Sequence, residues 1–360
     1  MAYTTIDDPS VHFHTQLYTG TGSLNSVTND ANAGDFKPDW IQIKNRSQGW
    51  SNIVFDSSRG TNKALYTPAT DGDVTSNARG YLSAFNTDGF TVGAGSSGSD
   101  NVNTNGNNYV AWQWKANGGT TSSNGTGTLT TTNQINSTAK FSIITYNGGG
   151  SGGTLGHGLG TVPHLIIIKS RAGRDWCIYH HKNTTAPETD FLSFNQNVAT
   201  QDATVWNDQA PTSTIISVSG DGKVGTNEDY VGYVFSEVQG FSKFDSYVGN
   251  NSTDGPFVYT GFKPAYVWIK RTDSTGNWYI YDTERNGSSG PNTNQAHKIV
   301  YLNDSSSEVD NTSRGIDMNA NGFKVRNTLG DTNADGGTYI YAAFASSPFV
   351  SSAGVPTTAR

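Results

Sequence analysis

The sequence lacks the features that mark several common classes of protein. Its 360 residues include a single cysteine, Cys177, so no disulfide can form within the chain, and we predict a buried, inert thiol. Charged residues make up 15% and the net charge is −7, with no concentration of Lys and Arg, which argues against a nucleic-acid-binding surface. No apolar run approaches the roughly 18 residues that a membrane span requires, and the first residues do not resemble a secretory signal. These absences predict a protein made in a cytoplasm, without membrane insertion.

The periodicity of amphipathic helices is also missing. No long stretch carries apolar residues at i, i+3, i+4 and i+7. Instead, 42 glycines and many Ser, Thr and Asn residues separate short runs in which apolar and polar residues alternate. The sequence therefore predicts an all-β protein with many turns.

One strand–turn–strand pattern occurs three times, at spacings of about a hundred residues, and this repetition predicts three copies of one unit. Each copy starts with a proline, which lacks an N–H and belongs before a strand and not inside it. The three prolines are Pro38, Pro163 and Pro264. The return strands are predicted to begin at Trp50, Trp176 and Trp278. The first copy has two extra residues in its return strand, an insertion that leaves every side chain on its original face.

The fold predicted from these repeats is three tandem antiparallel β-sandwich domains of jelly-roll type. The last strand of the first copy places Val110, Trp112 and Trp114 on one face, which we take as the inner face of a sandwich. Because the second and third copies are joined by only a few residues, we expect them to move together while the first swings. The predicted divisions are an N-terminal arm (1–12), a first sandwich (13–115), a Gly/Ser/Thr linker (116–138), a second sandwich (139–238), a third sandwich (239–349) and a C-terminal tail (350–360).

No catalytic motif is evident. Asp56 with Arg59, and Asp282 with Arg285, are interpreted as turns in which the carboxylate accepts backbone N–H bonds and the arginine fixes the loop. A glycosidase would instead need carboxylates that face each other across a groove. Asp282, Glu284 and Asp273 are the candidates for that alternative.

No metal or cofactor site is predicted. Residues 331–336 resemble the start of a calcium loop, but position 12 is Ala342, where an EF-hand requires Glu. The seven histidines are scattered, and the adjacent His180 and His181 point to opposite faces of a strand. Among the tryptophans, Trp206 lies in a polar segment and is a weak candidate for an exposed sugar-stacking residue.

The repeated segments resemble the multi-repeat virion proteins of marine tailed bacteriophages that are described as tail fibres. The likeness runs along nearly the whole chain. It is carried by residues 262–271, 321–327, 337–345, 112–119 and 354–360.

The resemblance implies a non-enzymatic structural protein of the virion, in a tail fibre or another surface appendage that takes part in host adsorption. It implies no functional residues. The expected partners are other virion proteins of the tail, adaptor or capsid, further copies of the chain, with a homotrimer favoured, and a host surface glycan. The alternatives are a capsid decoration or head fibre protein, a polysaccharide depolymerase, and a free lectin-like protein.

Overall fold

The structure is a computed structural model, and it describes residues 2–30, 34–97, 101–285 and 294–357. In these residues strands account for 42% and helices for 6%, which confirms the all-β prediction. None of the helices in the described ranges is long or apolar enough to cross a bilayer.

The strands are short and follow one another closely along the chain. Before residue 115 they are β1 (Phe13–Thr19), β2 (Asn25–Val27), β3 (Trp40–Asn45), β4 (Ile53–Asp56), β5 (Leu65–Tyr66), β6 (Tyr81–Phe85), β7 (Phe90–Gly93) and β8 (Asn108–Trp114). Between residues 116 and 236 they are β9 (Ser122–Asn124), β10 (Thr131–Asn136), β11 (Phe141–Asn147), β12 (Gly152–Gly156), β13 (Leu165–Ser170), β14 (Cys177–His180), β15 (Asp190–Phe191), β16 (Gln201–Asp202), β17 (Ile215–Ser219) and β18 (Asp229–Phe235). After residue 240 they are β19 (Ser242–Val248), β20 (Phe257–Tyr259), β21 (Phe262–Arg271), β22 (Tyr279–Asp282), β23 (Gln295–Ala296), β24 (Lys298–Tyr301), β25 (Val309–Asp310), β26 (Ile316–Asn319), β27 (Gly322–Val325) and β28 (Thr338–Pro348). Helical turns of three or four residues span Pro9–Val11, Asn77–Arg79, Pro187–Thr189, Thr204–Trp206, Thr312–Arg314 and Gly330–Asn333.

Three large antiparallel sheets share one arrangement of strands. The first sheet has the order β1-β8-β3-β4-β5, the second β9-β10-β11-β18-β13-β14, and the third β19-β28-β21-β22-β24-β25. The common part is β1-β8-β3-β4, which recurs as β11-β18-β13-β14 and as β19-β28-β21-β22. Smaller sheets, β2-β7-β6, β12-β17 and β20-β27-β26-β23, each contribute to a hydrophobic core on one face of a large sheet.

The opposite faces of the three large sheets meet in a single cluster of buried side chains, called here the central core. Aromatic rings from different sheets are in contact within it. The ring centroids of Trp40 and Tyr233 lie 4.7 Å apart, those of Trp114 and Phe344 5.5 Å, and those of Phe235 and Phe344 5.7 Å. Because aromatic side chains bury large apolar areas, these contacts hold the three sheets together as one body.

The alternation along each strand decides which of the two cores a side chain enters. In β3, Ile41 and Ile43 face the small sheet while Trp40 enters the central core. The assignment of Trp112 and Trp114 to the inside of a sandwich was wrong, because both lie in the central core. The first sheet is packed there as fully as the other two, so the structure gives no basis for the independent motion predicted for the first copy.

Three local predictions also need correction. Pro264 lies inside β21 and not before it, and the strand accommodates the missing N–H by register shifts on either side of this residue. Asn52, and not Trp50, takes the place of Trp176 and Trp278: its side-chain amide donates to Tyr301 O at 2.6 Å, as the two indoles donate to backbone carbonyls of a neighbouring sheet region. The segment 1–12, which was predicted to be an arm, packs against the rest of the protein, because Ile6 is buried in the central core.

The segment 116–138, predicted to be a linker, contains β9 and β10. β10 pairs with β11 over five residues, so this polar segment extends the second sheet at its edge. Its Thr, Asn and Gln composition reflects a strand whose side chains are engaged in hydrogen bonds, which the sequence composition alone did not reveal.

A buried lysine at the same position of each large sheet connects it to the next. Lys44 donates to Ser305 O at 2.9 Å, Lys169 to Thr70 O at 2.9 Å, and Lys270 to Asn197 O at 3.1 Å. We call the three contacts the first–third, second–first and third–second junctions. Burial lowers the pKa of Lys44 to about 7 and those of Lys169 and Lys270 to about 8.

A second set of contacts crosses each junction where the return strand ends. At the first–third junction, the buried Asp282 accepts from the Arg285 guanidinium at 2.5 Å and from Trp112 Nε1 at 3.0 Å. At the second–first junction, Asp56 accepts from Arg59 and from Tyr233 OH in the same way, at 2.5 and 2.7 Å. Both aspartates also accept a backbone N–H three residues on, as predicted for a turn.

The third–second junction has a histidine at this position. His180 donates from Nε2 to Tyr341 O at 3.1 Å and accepts the Lys182 N–H at Nδ1, so it is neutral. Burial lowers its pKa to about 3. Ala342 takes the place of Trp112 and Tyr233 and offers no side-chain donor, and no arginine follows His180 by three residues. A carboxylate here would be buried without the partners that stabilise Asp56 and Asp282.

Candidate functional site

A concavity with a volume of about 440 Å³ lies at the first–third junction. We call it the cleft. One wall is formed by His14, Thr15 and Asp30, and the opposite wall by Ala265, Thr283 and Glu284. β1 and β21 position these residues, together with the turn that follows β22. The cleft is the candidate functional site.

The cleft exists because side chains that fill the equivalent space elsewhere are absent. At the second–first junction, Asp39 occupies the position of Ala265, and its carboxylate accepts N–H bonds from Ala116 and Gly118 at 2.8 Å. The Gln134 side chain, from β10, donates to Ser57 and Ser58 at 2.9 and 2.7 Å. Ser57 and Ser58 correspond to Thr283 and Glu284.

The edge strand beside the cleft has unused hydrogen-bonding groups. Within the part of the chain that the structure describes, β1 lies at the end of its sheet and pairs with β8 alone. Lys115 donates to His12 O and Gly20 to Asn107 O, so the even-numbered residues of β1 bond to β8, and Thr15 directs its N–H and C=O away from it. The Thr15 hydroxyl is buried and has no hydrogen-bond partner among the described residues.

The electrostatics of the cleft are acidic. Glu284 is exposed at its mouth, and desolvation by the surrounding protein, followed by the charges of Asp282 and Asp30, raises its pKa. Burial lowers the pKa of His14, so the imidazole is neutral at pH 7. Two carboxylates and a neutral imidazole therefore line one cleft, an arrangement that suits a cationic ligand or acid–base chemistry.

The carboxylates predicted for a glycosidase do not converge. Asp282 pairs with Tyr266 in the sheet register, whereas Asp273 follows Arg271 at the far end of β21. At about 3.3 Å per residue, these ends are separated by roughly 16 Å. Asp282 is fully engaged with Arg285 and Trp112, and Asp273 is paired with Arg271. Of the predicted set, only Glu284 lines the cleft, and Asp30, which the sequence analysis did not single out, lies opposite.

Trp206 is not exposed, contrary to prediction. It is 1% exposed, its ring contacts that of Tyr179, and its indole donates to Asp190 O at 3.0 Å. Burial of the large apolar ring in the core is favourable, although the residues next to Trp206 in the sequence are polar. The exposed aromatics on β20 are Phe257 and Tyr259, at 47% and 55%, on the same face of this edge strand. Their alternation around the buried Val258 was the signal in the sequence.

One cluster of histidines forms that the sequence did not predict. His164, His181 and Glu237 present ligand-type atoms within 4.8 Å of one another. Each is already engaged: His164 Nδ1 accepts the Glu237 N–H, His181 Nε2 donates to Phe244 O at 2.6 Å, and Glu237 accepts from Phe244 N and Lys243. These bonds satisfy the outer edge of β19 at the residue that corresponds to Thr15.

The calcium-like segment belongs to a turn that recurs in all three copies. A tyrosine hydroxyl accepts the backbone N–H of Ala334, Thr226 or Thr104 at 2.7, 3.1 and 2.8 Å. The accepting hydroxyls belong to Tyr339, Tyr230 and Tyr109, which lie at equivalent positions of β28, β18 and β8. The segment therefore forms the same turn as its counterparts in the other two copies.

Comparison with known proteins identifies a family. A family model described as a domain of unknown function, DUF7483, matches residues 8–348, a span that includes all three large sheets. No curated protein and no solved structure matches the chain. The chain therefore belongs to the DUF7483 family.

Proposed function

We propose that this chain is a non-enzymatic structural protein of a bacteriophage virion, mounted in a tail fibre or another surface appendage and active in host adsorption. The observation that carries the proposal is the repeated junction, in which three sheets are fixed around one aromatic core by Lys44, Lys169 and Lys270. A block of three sheets fixed in this way is suited to bearing mechanical load and to presenting a binding surface. The resemblance to phage virion proteins supports the same role.

As part of this proposal, the chain consists of three tandem β-sandwich repeats, divided at 13–115, 139–238 and 239–349, each built from a large sheet and a smaller one. The strands β9 and β10, from the segment 116–138, are added to the edge of the second large sheet. The shared strand order of the large sheets supports this division. The chain assembles with other virion proteins and with copies of itself, a homotrimer being favoured.

Labelling of virus particles tests the placement. Gold-conjugated antibodies raised against the chain are expected to decorate the tail fibres of phages that encode it, seen by electron microscopy. Label confined to the shell would reassign the chain to capsid decoration, and particles without label would overturn the virion role.

For adsorption, the exposed Phe257 and Tyr259 form the surface that stacks on host sugars. Aromatic faces are suited to such contacts, and the equivalent positions on β2 and β12 carry no aromatic residue. A glycan array probed with the full chain is expected to show binding that Phe257→Ala with Tyr259→Ala removes. Leu24→Ala, which trims another exposed apolar side chain, is the matched control. Equal glycan binding by the unchanged chain, the double variant and the Leu24→Ala control would show that β20 does not form the sugar-binding surface.

A hydrolase is the second candidate, because Glu284, with its raised pKa, and Asp30 line the same cleft. Release of reducing sugar from host polysaccharide, abolished by Glu284→Gln, would establish it in place of the structural role. Absence of release, with glycan binding retained, is the expected result.

A further inference from the structure

The strands β1, β11 and β19 differ in what pairs with the outward-facing backbone groups of one equivalent residue. Thr15 in β1, Ile143 in β11 and Phe244 in β19 occupy equivalent positions, opposite Trp112, Tyr233 and Ala342 respectively. Ile143 is paired with Gln134 of β10. Phe244 has its N–H and C=O bonded by the side chains of Glu237 and His181.

Thr15 alone of these three lacks such a partner. Its outward N–H and C=O carry no bond among the described residues. Its hydroxyl is also unpaired, although the residue is only 3% exposed. Buried polar groups are hydrogen-bonded in the great majority of cases, so an unpaired N–H, C=O and hydroxyl beside an open cleft indicate a site completed by a ligand.

We propose that the cleft is a docking site for an extended peptide segment bearing a lysine or arginine side chain, which adds to the edge of β1 as β10 adds to β11. The chain itself provides the template: a residue in the place of Gln134 exchanges backbone hydrogen bonds with Thr15 and directs its side chain at Thr283 and Glu284. Strand addition of this kind obtains affinity from the main chain and specificity from the side-chain pocket.

The charge of the pocket selects the side chain. Gln134 is neutral and meets the neutral Ser57 and Ser58. In the cleft, Glu284 stands at the position of Ser58, and Asp30 lies on the opposite wall. Because both groups are carboxylates, the complementary side chain at the place of Gln134 is a cation and not a neutral amide. The docked segment is short, because beyond Thr15 the Leu17 carbonyl is already bonded by the Gln16 side chain at 2.8 Å.

The test uses the full chain and three synthetic peptides with the sequence of residues 131–136, in which the residue at the place of Gln134 is Lys, Gln or Glu. Binding is measured by calorimetry at low salt. The Lys peptide is expected to bind about tenfold more tightly than the Gln peptide, and the Glu peptide not at all. Glu284→Gln is expected to remove most of the preference for Lys, while Glu188→Gln, a matched change outside the cleft, leaves it intact.

Hydrogen exchange distinguishes strand addition from simple ion pairing. Saturation with the Lys peptide is expected to slow exchange in the segment 13–19, and Thr15→Pro, which removes the outward donor, to abolish both protection and binding. Equal affinity for the three peptides, binding without protection of 13–19, or displacement of the peptide by a host oligosaccharide would each overturn the proposal. The Glu284→Gln result decides the matter if Thr15→Pro does not fold. Loss of peptide docking would leave the virion role untouched, since that role is tested by particle labelling.

Discussion

The second–first and first–third junctions use the same positions of the same strands, yet one is filled and the other is open. Asp39, Ser57 and Ser58 hold the segment 116–138 through its backbone and through Gln134. Ala265, Thr283 and Glu284 border the cleft. The difference teaches that the junctions are held by the lysines, the aromatic core and the return-strand ends, and that the outer position is free to vary.

The largest effect is expected where a charge is buried. Asp282→Ala leaves Arg285 in the core without its carboxylate and is expected to cost about 3–5 kcal/mol of unfolding free energy. His180→Ala, at the corresponding position of the third–second junction, removes two hydrogen bonds of a neutral side chain and is expected to cost about 1–3 kcal/mol. Urea denaturation measures both. If His180→Ala lowers the unfolding free energy as much as Asp282→Ala does, the junction with a buried ion pair and the junction with a neutral histidine do not differ in the way described.

The next effect is a dependence on pH. Lys44 has a folded-state pKa of about 7, below its usual value, so the unfolded chain binds more protons than the folded chain between pH 7 and about 10. Stability therefore rises with pH in this window, by up to about 2 kcal/mol from pH 7 to 9 for this one residue. Lys44→Met is expected to flatten the slope in urea titrations at several pH values. An unchanged slope would show that Lys44 is not the group responsible.

A smaller loss is expected at the filled junction. Gln134→Ala deprives Ser57, Ser58 and Gly119 of their partners and is expected to cost about 1–2 kcal/mol. Gln134→Glu keeps the acceptor for the Gly119 N–H and should recover part of this loss in thermal unfolding. If Gln134→Ala does not change the free energy of unfolding, β10 is held by its backbone hydrogen bonds alone.

The smallest effect has the opposite sign. Thr15→Val replaces an unpaired buried hydroxyl by a methyl group of the same shape and is expected to raise stability by up to about 1 kcal/mol. Ile143→Thr, which introduces a hydroxyl and shortens the side chain at the equivalent position of β11, is the control and is expected to destabilise. A destabilising Thr15→Val would indicate that the hydroxyl has a partner in the free protein.

Alternation in the sequence predicted the strands and their faces but not the way in which the sheets meet. Ile41 and Ile43 lie on the face of β3 opposite to Trp40, and a period of two of this kind is visible in the local sequence. Strands such as β8 are apolar on both faces, with Tyr109 in one core and Trp112 in the other, and this pattern shows that both faces are covered without showing by what.

The cleft was out of reach for the same reason. Thr15 and Glu284 are brought together by a junction between distant parts of the chain, and neither has a local pattern that marks it. Comparison of Asp39, His164 and Ala265 across the copies carried a signal, since the smallest of the three borders the cleft. Trp206 was misassigned because its polar neighbours were taken as evidence of exposure, whereas a tertiary contact with Tyr179 decided its burial.

The bond between Lys44 and Ser305 closes a ring of contacts between residues 261 positions apart. At about 5–20 residues per second, a ribosome needs roughly 13–50 s to travel that distance. During this time the tryptophan-rich face of the nascent first sheet lacks part of its cover, and exposed apolar surface of this kind promotes aggregation. We therefore expect chains that terminate before Ser305 to accumulate in inclusion bodies to a greater extent than the full chain.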